Sequence, residues 1–139
     1  MKMSTRGRYG LRAMTEMAHQ YEGEGYVSLR CISRHQDIPE HYLERLLARL
    51  RKAGLVETQR GAQGGYRLSK PPERITVFDV LTGAGETLCI VECTGSDSCP
   101  RGSDCPTRPF WERMERSFRA VASATTLAEL AGGSRREDP

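Results

Sequence analysis

Apolar residues recur first at close to the α-helical period. In residues 6–20, RGRYGLRAMTEMAHQ, the side chains of Tyr9, Ala13, Met14, Met17 and Ala18 fall on one face, with Ser4 or Thr5 placed to cap the helix. YEGEG breaks it. SLRCISRHQDI predicts a short second helix capped by Ser28, with Leu29, Ile32 and Cys31 turned inward. DIP is a tight turn, and Pro39 suits the first turn of a third helix, PEHYLERLLARLRKAG. There Leu43, Leu46, Leu47 and Leu50 form one apolar stripe at i, i+3, i+4 and i+7, and Gly54 ends the helix. The period then drops to two. LVETQR and YRLS read as strands joined by the GAQGG loop. Helical spacing returns in PFWERMERSFRAVASATTLAEL, where Trp111, Met114, Phe118 and Val121 make a stripe like one seam of a coiled coil. TTLAELAG predicts a short closing helix.

The expected fold is mainly α with a small β-hairpin wing: a winged helix-turn-helix domain plus a long C-terminal dimerisation helix. The expected divisions are a DNA-binding winged helix over 1–71, a connecting helix and loop over 72–88 and a cysteine loop over 89–106. The dimerisation and closing helices follow over 107–131, and a disordered tail over 132–139.

With 139 residues, 37% hydrophobic and 28% charged, the chain can bury a modest core. MKMSTRGRYG lacks the apolar segment of a signal peptide, and no apolar run approaches the ~18 residues of a membrane span. A cytoplasmic location with no membrane partner is the expectation. The net charge of +3 is unevenly spread. Residues 1–70 carry 13 basic and 7 acidic side chains, against 8 and 11 in residues 71–139. The basic half suits an anionic polymer.

The third helix sharpens that reading. Its outer face presents His41, Glu44, Arg45 and Ala48 at i, i+3, i+4 and i+7, with Arg49 and Arg51 beside them. Such a helix reads base edges in the major groove. Arg45 can take guanine O6 and N7 with two parallel hydrogen bonds, and Glu44 can accept from cytosine N4. Arg60 in the wing suits a minor groove, where the negative potential is deep. Tyr42 on the helix and Gly61, Gln63 and Gly64 in the wing complete the expected DNA-binding set. The plainer alternative is a solvated face with i, i+4 ion pairs.

CTGSDSCPRGSDC spaces Cys93, Cys99 and Cys105 evenly in a polar loop. In a reducing compartment such thiols bind metal or sense redox state rather than pair. Thiolates favour iron–sulfur clusters or zinc, and spacing alone leaves both open. No G-x-S-x-G, P-loop or H-E-x-x-H occurs, so an enzyme is not expected.

STRGRYGLRAM, HYLERLLARLRKAGLVETQRG and GGYRLS resemble the signature of the Rrf-two-type winged-helix regulators, the family of IscR, NsrR and CymR. The resemblance runs from residue 1 to about residue 131 and is nearest to the IscR-like, iron–sulfur-binding members. It implies a homodimeric transcription regulator on double-stranded DNA with a palindromic operator. Trp111, Met114, Phe118 and Val121 would line the dimer interface, and Glu44 matches the glutamate that selects DNA sites. Cys93, Cys99 and Cys105 match the members that carry an iron–sulfur cluster, [2Fe–2S] by the IscR likeness, with [4Fe–4S] the alternative. The cluster would report iron–sulfur supply, redox state or nitric oxide. Arg108 stands where IscR-like members have a ligating histidine, and Arg8 where an NsrR-like member has an aspartate. The alternative function is a cluster-free winged-helix regulator sensing thiol oxidation or a small ligand.

Overall fold

The computed structural model describes residues 2–21, 25–95, 100–101 and 104–132. Cys99 and most of the expected tail therefore lie outside the described residues.

Helix α1 spans Thr5–His19 and is capped by Ser4, whose hydroxyl accepts from the Gly7 amide at 3.3 Å. Ser4 is itself tied to Glu86, which accepts from the Ser4 amide at 2.8 Å and from its hydroxyl. Ala13, Met14, Met17 and Ala18 are buried as expected, and Tyr9 is half-buried. Helix α2, Leu29–Gln36, begins at Ser28, whose hydroxyl accepts from the Cys31 amide at 3.1 Å. It ends on Asp37 in the left-handed conformation, φ 53°. Helix α3, Glu40–Lys52, buries all four stripe leucines. Pro39 serves as its N-cap rather than in its first turn.

Gly54 follows α3 with φ 82°. Its amide donates to the Arg51 carbonyl (2.9 Å) and the Leu55 amide to the Leu50 carbonyl (3.0 Å), a Schellman closure. The chain then turns directly into β1, Val56–Gln59, which pairs antiparallel with β2, Gly65–Leu68. Val56 faces Leu68 and Glu57 faces Arg67 across the ladder. A third edge comes from far away in sequence. Val27 bridges Tyr66 through two backbone hydrogen bonds of 2.8 Å. Gly65, with φ 147°, permits that approach, because a β-carbon there would collide with the Val27 carbonyl. Helix-turn-helix followed by a hairpin is a winged helix.

A 3₁₀ turn, Pro72–Arg74, leads to α4, Val77–Gly83, where Thr76 and Asp79 form a reciprocal capping box. A single turn, α5, covers Glu92–Gly95. The long helix α6, Arg108–Ala124, packs on α4 and α5. The chain then returns. Thr125 accepts from the Val77 amide and Leu127 donates to the Ile75 carbonyl, each at 2.9 Å. Helix α7, Leu127–Gly132, lies on α1, and Leu127 is fully buried in the same core as the α3 leucines. No helix among the described residues is long and apolar enough to cross a membrane.

Leu127→Ala should therefore lower unfolding stability by about 2–5 kcal/mol in urea titrations, as for any large core truncation. A loss below about 1 kcal/mol would mean that α7 contributes little to the core.

Candidate nucleic-acid interface and cysteine centre

The period of α3 sorts its two faces. With Leu43, Leu46, Leu47 and Leu50 inside, the residues His41, Glu44, Arg45, Ala48 and Arg49 are exposed. Tyr42 differs from them. It is half-buried and meets Tyr9 of α1 edge-on, with ring centroids 5.6 Å apart and an 85° interplanar angle. The guanidinium groups of Arg12 and Arg8 lie 5.2 and 6.0 Å from the Tyr9 ring centre. The Tyr9–Tyr42 contact thus joins α1 to α3, with two further cations of α1 beside the Tyr9 ring. Sequence reasoning did not include Arg12, because on α1 it reads as an ordinary exposed position. Arg49 lies beside Gly85, whose carbonyl accepts from Arg6 at 3.4 Å, so cations from α1 and α3 meet at the end of α4.

In the wing, Arg60, Gly61 and Gln63 are exposed, and Gly64 is half-buried with its amide on the Gly61 carbonyl at 3.1 Å. Arg67 is held differently from Arg60. It pairs with Glu57 at 2.8 Å and stacks over Tyr26 at 4.7 Å. Its role there is to stiffen the hairpin. Tyr66 of the wing feels the charges on α3. Burial pushes its phenol pKa up, the Glu44 carboxylate adds to that, and Arg51 opposes it. The ring therefore sits within electrostatic reach of the α3 surface that carries Glu44. Alternation in YRLS could have shown this, since Tyr66 shares a strand face with Leu68.

Behind α3 lies a buried carboxylate. Glu16 of α1 is 3% exposed. It accepts from His35 Nδ1 at 2.7 Å, from Gln20 at 2.6 Å and from Gln36 at 2.9 Å, binding α1 to α2. Cys31 Sγ joins the edge of this network, 3.6 Å from the Gln20 amide nitrogen. Burial pushes the Glu16 pKa up, but the hydrogen bonds from His35, Gln20 and Gln36 outweigh it and the net direction is down.

The cysteine region is built at the junction of α5 and α6. Cys93 sits in α5, Cys105 lies three residues before α6, and both are half-buried, as is Cys89. The third expected ligand, Cys99, lies outside the described residues. Among the described residues no three Cys, His, Asp or Glu side chains converge into a metal-binding group. The donors present nonetheless suit a soft metal. Cys105 Sγ is 3.3 Å from the Thr107 hydroxyl. Hydrogen bonds from the Thr107 side chain and amide pull its thiol below the ordinary range against burial, helped by the Arg108 amide and the Arg101 charge. The thiolate is the form that ligates metal and attacks oxidants. Arg108 is paired with Glu112 at 2.9 Å. Glu115 of α6 was missed by sequence reasoning. It is 8% exposed and accepts from the Ile90 amide at 2.9 Å and from the Thr94 hydroxyl.

On α6 the expected stripe divides. Trp111 and Phe118 are half-buried beside buried Glu115 and Ala122, at i, i+4, i+7 and i+11. Met114 and Val121 are exposed, the latter by 67%, and Phe110 joins them on that outer side.

A family model described as an iron-dependent transcriptional regulator, Rrf2, matches residues 3–133. The chain belongs to the Rrf2 family. It is 40% identical over 131 residues to the transcriptional regulator CymR of Bacillus subtilis, covering 94% of this chain and 90% of that one. The solved structure of CymR, the global cysteine regulator of B. subtilis, superposes with a TM-score of 0.81 at 38% identity, covering 97% and 99% of the two chains. T. potens IscR superposes at 0.75 with 40% identity, covering 94% and 85%. Rrf2-family membership makes this protein a DNA-binding transcriptional regulator, and its relatives are regulators rather than enzymes. In sequence the two solved structures, CymR and IscR, are 38% and 40% identical to it.

The Glu16 network carries a pH signature. A depressed carboxylate pKa stabilises the fold above the unfolded-state value and loses that effect as pH falls through the folded one. Glu16→Ala should cost about 2–4 kcal/mol near neutral pH, by chemical denaturation. Its deficit relative to wild type should narrow below about pH 4. A deficit that stays constant from neutral to acid pH would contradict the assignment.

Proposed function

We propose that this Rrf2-family chain is a homodimeric regulator that grips a palindromic operator with α3 and the wing, under control of an iron–sulfur cluster on Cys93, Cys99 and Cys105. The observation that carries the DNA reading is the division of α3. Four leucines are inside, while Glu44, Arg45 and Arg49 stand in solvent with Arg60 exposed in the adjoining wing. Base readout falls to Glu44 and Arg45, with His41 beside them, and backbone contact to Arg49. Arg60 enters the minor groove, with Gly61, Gln63 and Gly64 shaping the tip. Tyr42 positions the helix through Tyr9 rather than touching a base edge. The dimer uses the outer side of α6. Phe110, Met114 and Val121 are apolar and exposed in one protomer, and a second copy would cover them with the half-exposed edges of Trp111 and Phe118. A two-fold dimer then presents two recognition helices to half-sites ~34–36 Å apart.

Cys93 and Cys105 would hold the cluster together with Cys99, the low-pKa Cys105 thiol supporting the soft-donor assignment. When bound, the cluster supplies a redox- and nitric-oxide-reactive centre. The IscR likeness favours [2Fe–2S]. Arg108 is engaged by Glu112 and has no lone pair to offer, so the last coordination position belongs to another group. Loading would act through the cysteine region that abuts α6. A differential of about 1–3 kcal/mol between states alters operator affinity about 5–150-fold.

The lowered Cys105 thiol also suits a second reading, in which oxidation of the thiols themselves, without iron, is the signal. Anaerobic reconstitution separates the two. The cluster reading expects visible absorption with matching iron and sulfide in wild type, and none in the C93A/C99A/C105A variant. Absent iron with preserved operator response to peroxide supports the thiol reading. In operator titrations, Arg60→Ala should weaken binding to all sequences and lower the salt slope by about one. Arg45→Ala should cost about 1–3 kcal/mol at one base pair and relax preference there. Unchanged binding in both variants would overturn the docking geometry.

A further inference from the structure

Glu115 is an acid in a place where an apolar side chain would pack. It occupies the inward line of α6 with Trp111, Phe118 and Ala122. Burying a carboxylate there is costly unless its oxygens are satisfied. One oxygen, Oε1, accepts from both the Ile90 amide and the Thr94 hydroxyl. Those donors bracket Cys93, one three residues before it and the other just after. The turn between them closes on itself through the Thr94 amide, which donates to the Val91 carbonyl at 3.3 Å, while the single Thr94 hydroxyl proton is shared between that carbonyl, at 2.9 Å, and Glu115. Cys105 is referenced to the same helix by its own route, through Thr107 at the start of α6. Cys93 and Cys105 are thus located relative to α6, Cys105 at its beginning and Cys93, through Glu115, near its middle.

We propose that Glu115 is the positioning residue for Cys93: its buried carboxylate pins the Cys93 turn to α6, so that a change of state at Cys93 is transmitted to that helix. The transmission half rests on the sensor reading above; the positioning half stands on the reduced, metal-free protein alone. Glu115 Oε1 is committed to the turn in this scheme.

The test compares Glu115→Leu, which keeps bulk but removes the acceptor, with Glu115→Gln, whose amide oxygen can accept the same two bonds. In reduced, metal-free protein, E115L should raise the hydrogen-exchange rate of the Ile90 amide and the iodoacetamide alkylation rate of Cys93 about tenfold each, resolved by peptide mass spectrometry. E115Q should stay within about threefold of wild type. In operator titrations the affinity ratio between cluster-loaded and reduced states should fall toward one in E115L and persist in E115Q. Should E115L fail to fold, Thr94→Val removes one donor from the turn and should give a smaller rise in both rates. Wild-type exchange and alkylation in folded E115L or T94V would overturn the proposal. A wild-type protein whose operator affinity ignores its cysteine state would remove transmission along with the sensor reading. Exchange and alkylation would then decide positioning by themselves.

Discussion

Burial of the four α3 leucines is the constraint on which the arrangement turns. A helix has one rotational setting that hides Leu43, Leu46, Leu47 and Leu50 together. That setting leaves Glu44, Arg45 and Arg49 in solvent. Each buried leucine contributes about 2 kcal/mol of transfer free energy, far more than any exposed ion pair on the opposite face. The exposed face of α3 is therefore defined by what the core removes from water. The Schellman closure at Gly54 carries the same constraint onward, because Leu55 and Val56 enter that core and set where the wing begins.

Two polar clasps work against the general preference for dry interiors. Glu16 joins α1 to α2, and Glu115 joins α6 to the turn holding Cys93. In each case one carboxylate satisfies several donors that would otherwise face an apolar neighbour. Such groups tolerate little slack, since an unmade buried hydrogen bond costs about 1–3 kcal/mol. They specify relative placement of segments that apolar contact alone would let slide.

The local parts of this fold were legible in the sequence. Ser4 and Ser28 announced their helices, Gly54 its termination, and the glycines of GAQGG the hairpin, because each acts within a few residues of itself. What depended on distant partners was not. Val27 gives no periodic signal, yet it extends the sheet through Tyr66. Glu16 and Glu115 read as solvent-facing because charge usually is. The α6 stripe was assigned to one face, whereas the helix interleaves an inner line of Trp111 and Phe118 with an outer line of Met114 and Val121. TTLAELAG was legible as a helix but not as a piece of the same core that α3 occupies. Of the candidate site, the helix face and the wing tip were visible in advance. Tyr42 meets Tyr9 of α1, so its neighbourhood with Arg8 and Arg12 arises only through tertiary structure.

The contact of Tyr66 with the field of Glu44 bears on how operator preference could be moved between relatives. Transplanting α3 alone would place new side chains near Tyr66, whose phenol feels the charges of Glu44 and Arg51. A chimera made for altered promoter choice should carry the return strand and its Val27 neighbour along with α3. The return strand and its Val27 neighbour form one unit, assembled from stretches some forty positions apart.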